Sequence, residues 1–202
     1  PALEMAREVA DKTGTRVMIH VMESPLPLGD VFRYLKSGDV VTHIFHGDTH
    51  NVLKANGTVR PEVWRAYEDG VIFDTGSAMR HFSIPICRSA VDQGLTPHTI
   101  STDRVGPKPG RVNYSILAHM SMFLHLGMSL DGVVKSVTSG AASAIGRSDI
   151  GNLLVGSVGD APVLELREGN YKFEDQLGGE LTSELNFEPY ITIKDGKLWE
   201  LV

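Results

Sequence analysis

The sequence predicts an α/β fold built on a parallel sheet, followed by a smaller all-β tail. Three observations carry this. Short β-branched apolar runs alternate with amphipathic segments through the first hundred residues, the pattern of a parallel sheet with crossover helices. The character shifts to a helical, Met- and Leu-rich stretch from about residue 113. After Arg147 it shifts again, to alternating apolar and polar residues with turn signals.

The elements follow in order. PALEMAREVADKTG places Leu3, Met5, Ala6, Val9 and Ala10 at helical spacing and stops at Gly14. TRVMIHVME reads as a buried strand with His20 near its end. In SPLPLGDVFRYLKSG the prolines forbid an early start, so Asp30 is expected to cap a helix through Leu35 that ends at Gly38. DVVTHIFHG is the second strand, carrying His43 and His46. GTVRPEVWRAYEDG is a helix with Pro61 in its first turn, and VIFDTG the third strand. IPICRSAVDQG is the next helix, and HTISTD the fourth strand, ending at Asp103. Four such units suit half of an eight-stranded barrel, or an open doubly wound sheet. No GxGxxG turn follows the first strand, which argues against a dinucleotide site. The stretch SILAHMSMFLHLGMSLDGVVKSVTSGAASAIG is expected to be helical, broken at Gly127 and near Gly140. The tail is expected to hold short strands of a β-sandwich, with Asp195-Gly196 as a hairpin turn. Residues 1–147 and 148–202 are thus expected to form two domains.

Bulk properties exclude several roles. In 202 residues, 42% are hydrophobic and 22% charged, a globular composition. The formal net charge of -6 and the absence of a basic block argue against a nucleic-acid partner. No apolar run reaches membrane-spanning length, and no signal peptide is visible, so a cytoplasmic location is expected. The single cysteine, Cys87, allows no internal disulfide and reads as a small buried apolar residue rather than a nucleophile. GPKPGR, from Gly106 to Arg111, is the nearest match to a phosphate cradle, but its prolines fit an active-site loop better.

Functional side chains in parallel α/β folds gather where strands end. His20, His43 and Asp103 lie at such ends. Two imidazoles and a carboxylate suit a divalent metal, leaving room for an activated water. His46 follows His43 by three residues and, in a continuing strand, points to the opposite face. Asp74 is a further candidate carboxylate, or a turn residue. His50, His81, His98, His119 and His125 have no informative spacing.

The strings VMIHVMESP, VTHIFHG, VIFDTG and TISTD, in this order, resemble strands five to eight of the amidohydrolase superfamily barrel, in its dihydroorotase-like amidohydrolase/deacetylase branch. TSGAASAIGRSDIGNLLVGSVGDAPVLEL resembles that superfamily's closing segment, in which the last barrel helix returns into a β-sandwich. The resemblance implies an α/β partial (β/α)8 TIM barrel plus part of a β-sandwich. It implies His20 and His43 as metal ligands, and Asp103 as a ligand that also handles the proton. It implies a binuclear site, usually zinc, that hydrolyses an amide or ester of a small molecule. Two departures stand out. The chain has no HxH pair and no evident bridging lysine, so it is expected to be an incomplete C-terminal half, inactive alone, that forms a homo-oligomer or associates with a missing N-terminal half. A Gly-His-Gly-like string is expected after the third strand, where this chain reads Gly76-Ser77-Ala78.

Overall fold

The computed structural model describes residues 1–77, 81–104, 106 and 114–200. The first helix, α1 (Ala2–Thr13), ends on Gly14 at φ 67°, a left-handed cap that glycine adopts without steric cost. Strands β1 (Met18–His20), β2 (Val40–Thr42) and β3 (Ile72–Phe73) pair in parallel in that order, with Met18 opposite Val40 and Val40 opposite Ile72. Between them run α2 (Leu28–Phe32) and α3 (Pro61–Glu68), and α4 (Ile84–Asp92) follows β3.

The α/β alternation matches the expectation, but the strands are much shorter than their apolar runs. The expected fourth strand is reduced to one parallel bridge, Asp74 to Thr99. Apolar content marks burial, and here many of those residues are buried in turns beyond the ladder: Ile44 and Phe45 are fully buried outside any strand. The expected cap at Asp30 is also corrected. Helix α2 begins at Leu28, after Pro27, so Asp30 lies in the first turn, where a carboxylate favours the helix dipole instead of capping the chain end.

A single core joins the sheet to its helices. Val41 and Phe73 from the strands meet Leu28, Val63, Cys87 and Phe123, all 2% exposed or less. Each such large apolar side chain contributes roughly 1.5–3 kcal/mol on burial. Burial raises the Cys87 thiol well above its ordinary range, as expected of an inert apolar filler. The Arg16 guanidinium reaches the carbonyls of Ser143 and Ala144, tying the start of β1 to the end of the last helix.

The helical stretch forms α5 (Ile116–His125), α6 (Leu130–Val137) and α7 (Ser139–Ala144). Ser115 and Ser129 cap the first two through their hydroxyls. The break at Gly127 is present. The second break falls at Thr138, with φ -122° and ψ -99°, and Gly140 lies inside α7.

In the tail, β4 (Ala161–Glu174), β5 (Glu180–Lys194) and β6 (Lys197–Glu200) form one antiparallel sheet in chain order. The first two strands are long, 14 and 15 residues, where short ones were expected. Asp195 and Gly196 both take positive φ, 52° and 70°, the requirement of a two-residue type I′ turn. The hairpin docks on the α/β unit. Phe173, Leu181 and Phe187 enter the common core. Ser121 of α5 donates to Asn186 and accepts from the Phe187 amide, and Asp175 accepts from the amides of Ile84, Leu177 and Gly179. Among the described residues, no helix is long and apolar enough to cross a membrane.

Candidate metal centre

The carboxyl ends of the parallel strands converge on one rim. His20 closes β1, and His43 directly follows β2. Gly76 lies just past β3, and Asp103 ends the segment that bridges at Thr99. His43 and Asp103 adopt positive φ, 63° and 44°, which is uncommon for residues bearing a Cβ and turns both out of the sheet.

Three imidazoles meet there. The rings of His20 and His43 pack edge-on with centroids 4.4 Å apart, and His43 and His81 lie 4.3 Å apart. His81 is also 5.3 Å from His20. His81 Nδ1 is 3.0 Å from an Asp103 carboxylate oxygen. One donor atom each from His43, His81 and Asp103 lies within 4.8 Å of the others, with His20 standing beside that group.

Hydrogen bonding fixes the imidazole tautomers. A carbonyl only accepts, so His43 Nδ1–H donates to the Gly76 carbonyl at 2.8 Å. His81 Nδ1–H donates to Asp103 in the same way. Each ring then keeps its Nε2 lone pair free. A ring nitrogen held against a carbonyl or carboxylate, with the other nitrogen free, is the arrangement that metal-binding histidines show. Burial lowers the His43 pKa, and the neighbouring His81 and His20 lower it further, against the opposing pull of Gly76 and Asp103. The ring is thereby kept neutral, as a ligand must be. This donor set fits a divalent cation.

Gly76 is required where it stands. Its φ is 48°, and a Cβ there would come within 2.4 Å of both His43 Nδ1 and Thr42 Oγ1. Beneath the rim, the buried Asp74 carboxylate accepts from the hydroxyls of Thr42 and Thr99 at 2.6 Å and of Ser101 at 2.8 Å. These bonds occupy Asp74, so neither earlier alternative for it holds. It is neither a free site carboxylate nor a turn residue, but a clasp that holds Thr42, next to His43, and Ser101, two residues before Asp103.

Of the residues singled out in the sequence, His20, His43 and Asp103 come together. His81 is the addition. It was unreadable because nothing in its spacing connects it to a strand end. The alternation argument for His46 does not apply, because β2 stops at Thr42 and both histidines lie in the following turn. His46 is 1% exposed and stays out of the group. Its Nδ1 accepts from the Asp48 amide at 3.1 Å, and burial lowers its pKa to about 4. The GPKPGR loop, Gly106 excepted, lies outside the described residues, as does Ala78.

No protein-family model matches the chain. Two curated deacetylases are similar to it: one of Brucella anthropi, 29% identical over 93% of this chain, and one of Agrobacterium fabrum, 30% identical over 93%. The chain spans about half the length of these curated relatives, 46% of each. Among solved structures, an adenine deaminase superposes with a TM-score of 0.91 at 24% identity, over 98% of this chain and 55% of that one. A dihydroorotase superposes at 0.84 and 25% identity, over 98% and 54%, and an enamidase of the amidohydrolase superfamily at 0.62 and 17%, over 97% and 51%. Over nearly its whole length, this chain is similar in sequence to about half of two curated deacetylases, and in fold to about half of an adenine deaminase and of a dihydroorotase.

Proposed function

We propose that this chain carries part of the active site of a metal-dependent hydrolase that cleaves an amide or ester bond of a small molecule. The observation that carries the reading is the convergence of His43, His81 and Asp103 within 4.8 Å, with His20 beside them, where the parallel strands end. The names of the similar proteins, deacetylase and dihydroorotase, support amide chemistry.

A bound divalent ion, by this reading zinc, supplies Lewis-acid polarisation of the substrate carbonyl and a water acidified towards neutral pH. The chain's own residues do the rest. His43 and His81 present Nε2 lone pairs whose direction is set by Gly76 and Asp103. Asp103, with its side chain 42% exposed, is accessible to substrate. It takes the proton of the attacking water and returns it to the departing nitrogen or oxygen. Asp74 holds the strand ends that carry these groups.

The reading includes a second ion and further ligands, an HxH pair and a bridging lysine, from outside this chain, whose sequence has no HxH. It also includes association with another copy or a complementary segment. Met18, 64% exposed, lies on β1, which pairs only with β2 among the described residues, and Met5 and Val9 of α1 are exposed as well. An apolar, unpaired edge of this kind favours association. Residues 148–202 are read as part of a β-sandwich.

The test is zinc content after dialysis against zinc, by elemental analysis, for the wild type and His43→Ala/Asp103→Ala. Stoichiometric zinc in the wild type that is lost in the variant is expected. Equal zinc in both, or none in either, overturns the reading.

A further inference from the structure

The close approach of the His43 ring excludes a Cβ at position 76, yet glycine has the freest backbone of any residue. The Gly76 carbonyl must nevertheless point steadily at His43 Nδ1, 2.8 Å away, to hold one tautomer of that ring. The two peptide planes that meet at the Gly76 Cα therefore need to be fixed from outside.

Ser101 reaches both. Its Oγ accepts from the Gly76 amide at 3.1 Å, in the plane before that Cα. Its carbonyl accepts from the Ser77 amide at 3.1 Å, in the plane after it, which also contains the Gly76 carbonyl. Gly76 is buried, so its N–H needs a partner within the protein. An amide only donates, so the Ser101 hydroxyl proton turns the other way, to the Asp74 carboxylate at 2.8 Å. Ser101 is itself clamped. Its amide donates to Thr75 Oγ1 at 2.9 Å, and that hydroxyl donates back to the Ser101 carbonyl at 2.8 Å. The carbonyl link is backbone and survives a substitution, whereas the hydroxyl link is what a side-chain variant removes.

We propose that Ser101 is a positioning residue for His43, acting through the two peptide planes that flank Gly76. Its consequence for zinc binding rests on the hydrolase reading, but its effect on the His43 ring does not.

The test uses NMR of the metal-free protein, with long-range 1H–15N spectra for the imidazole tautomers and hydrogen exchange for the amides. In the wild type, His43 is expected as Nδ1–H alone and the Gly76 amide as protected. In Ser101→Ala the Gly76 amide is expected to exchange about tenfold faster. The Ile72 amide, bonded to the Asp39 carbonyl at 2.8 Å, is expected to be unchanged. The His43 tautomers are expected to mix, and zinc affinity to fall about tenfold or more. Ser101→Thr keeps the hydroxyl and is expected to restore the wild-type His43 signals. An Ala variant whose His43 stays wholly Nδ1–H overturns the proposal, as does a Thr variant with the same His43 signals as the Ala variant. If Ser101→Ala does not fold, the wild type and Ser101→Thr decide. Mixed His43 tautomers or an unprotected Gly76 amide in the wild type overturn the proposal, and a single Nδ1–H form with a protected Gly76 amide in both supports it. Absence of zinc binding in the wild type would count against the hydrolase reading alone.

Discussion

His43 and Gly76 fit together so closely that a Cβ at position 76 would collide with the His43 ring. The imidazole donates to the Gly76 carbonyl at 2.8 Å, and the bare Cα of Gly76 leaves room for the ring that a methyl group would fill. The tautomer of a candidate ligand is thus set by a residue with no side chain.

Substituting Gly76→Ala should therefore act twice. The positive φ alone costs about 1–2 kcal/mol for a residue with a Cβ. The clash with His43 and Thr42 adds to it and displaces the ring. Urea unfolding should report the first effect. Calorimetric titration with zinc should report the second, as a loss of affinity of about tenfold or more.

Asp103 and His81 share one hydrogen bond, yet their substitutions should differ. Asp103→Asn keeps an acceptor for His81 Nδ1 but removes the charge and the proton-accepting oxygen. In an assembly with full activity, turnover is expected to fall about 100-fold or more, measured by amine release from an N-acyl substrate. His81→Ala is expected to weaken zinc binding and leave the proton-transfer group in place. A smaller effect on the pH profile of turnover than that of Asp103→Asn checks this.

Stability should fall in acid for a reason localised at His46. An unfolded imidazole takes up a proton near pH 6.5, whereas the folded ring resists protonation until about pH 4. Stability is thus unaffected by this group above pH 6.5 and declines as pH drops through the window to about 4, by on the order of 3 kcal/mol. His46→Asn retains an acceptor for the Asp48 amide but cannot titrate. Its unfolding free energy, by urea titration, should change less between pH 7 and pH 4.5 than that of the wild type.

Asp74 should behave as a structural residue with a distant effect on the site. Asp74→Asn replaces one of the oxygens that accept from three hydroxyls. A buried network broken on one side costs about 2–4 kcal/mol. Chemical unfolding is expected to show this loss, and zinc affinity to fall less than in His43→Ala.

The alternation of apolar and helical segments, glycine at the end of α1 and the Asp195-Gly196 turn were legible in the sequence because each depends on local geometry. His20 and His43 were legible because they end apolar runs that become parallel strands, and Asp103 because it ends a run that keeps one parallel bridge, at Thr99. What the sequence hid depends on contacts between distant segments. Strand length was misread because apolar content reports burial, which continues into the turns at Ile44 and Phe45. Asp74 is indistinguishable from a free carboxylate until hydroxyls from residues 42, 99 and 101 close around it. His81 follows no period, and only the fold brings it to the rim beside His43 and Asp103. By itself the sequence determined the alternation of strand and helix and placed His20 and His43 where the first two strands end. The tertiary structure decided which imidazoles meet and which nitrogen of His43 and His81 stays free, because a tautomer is set by the oxygen the ring faces, and folding supplies that oxygen.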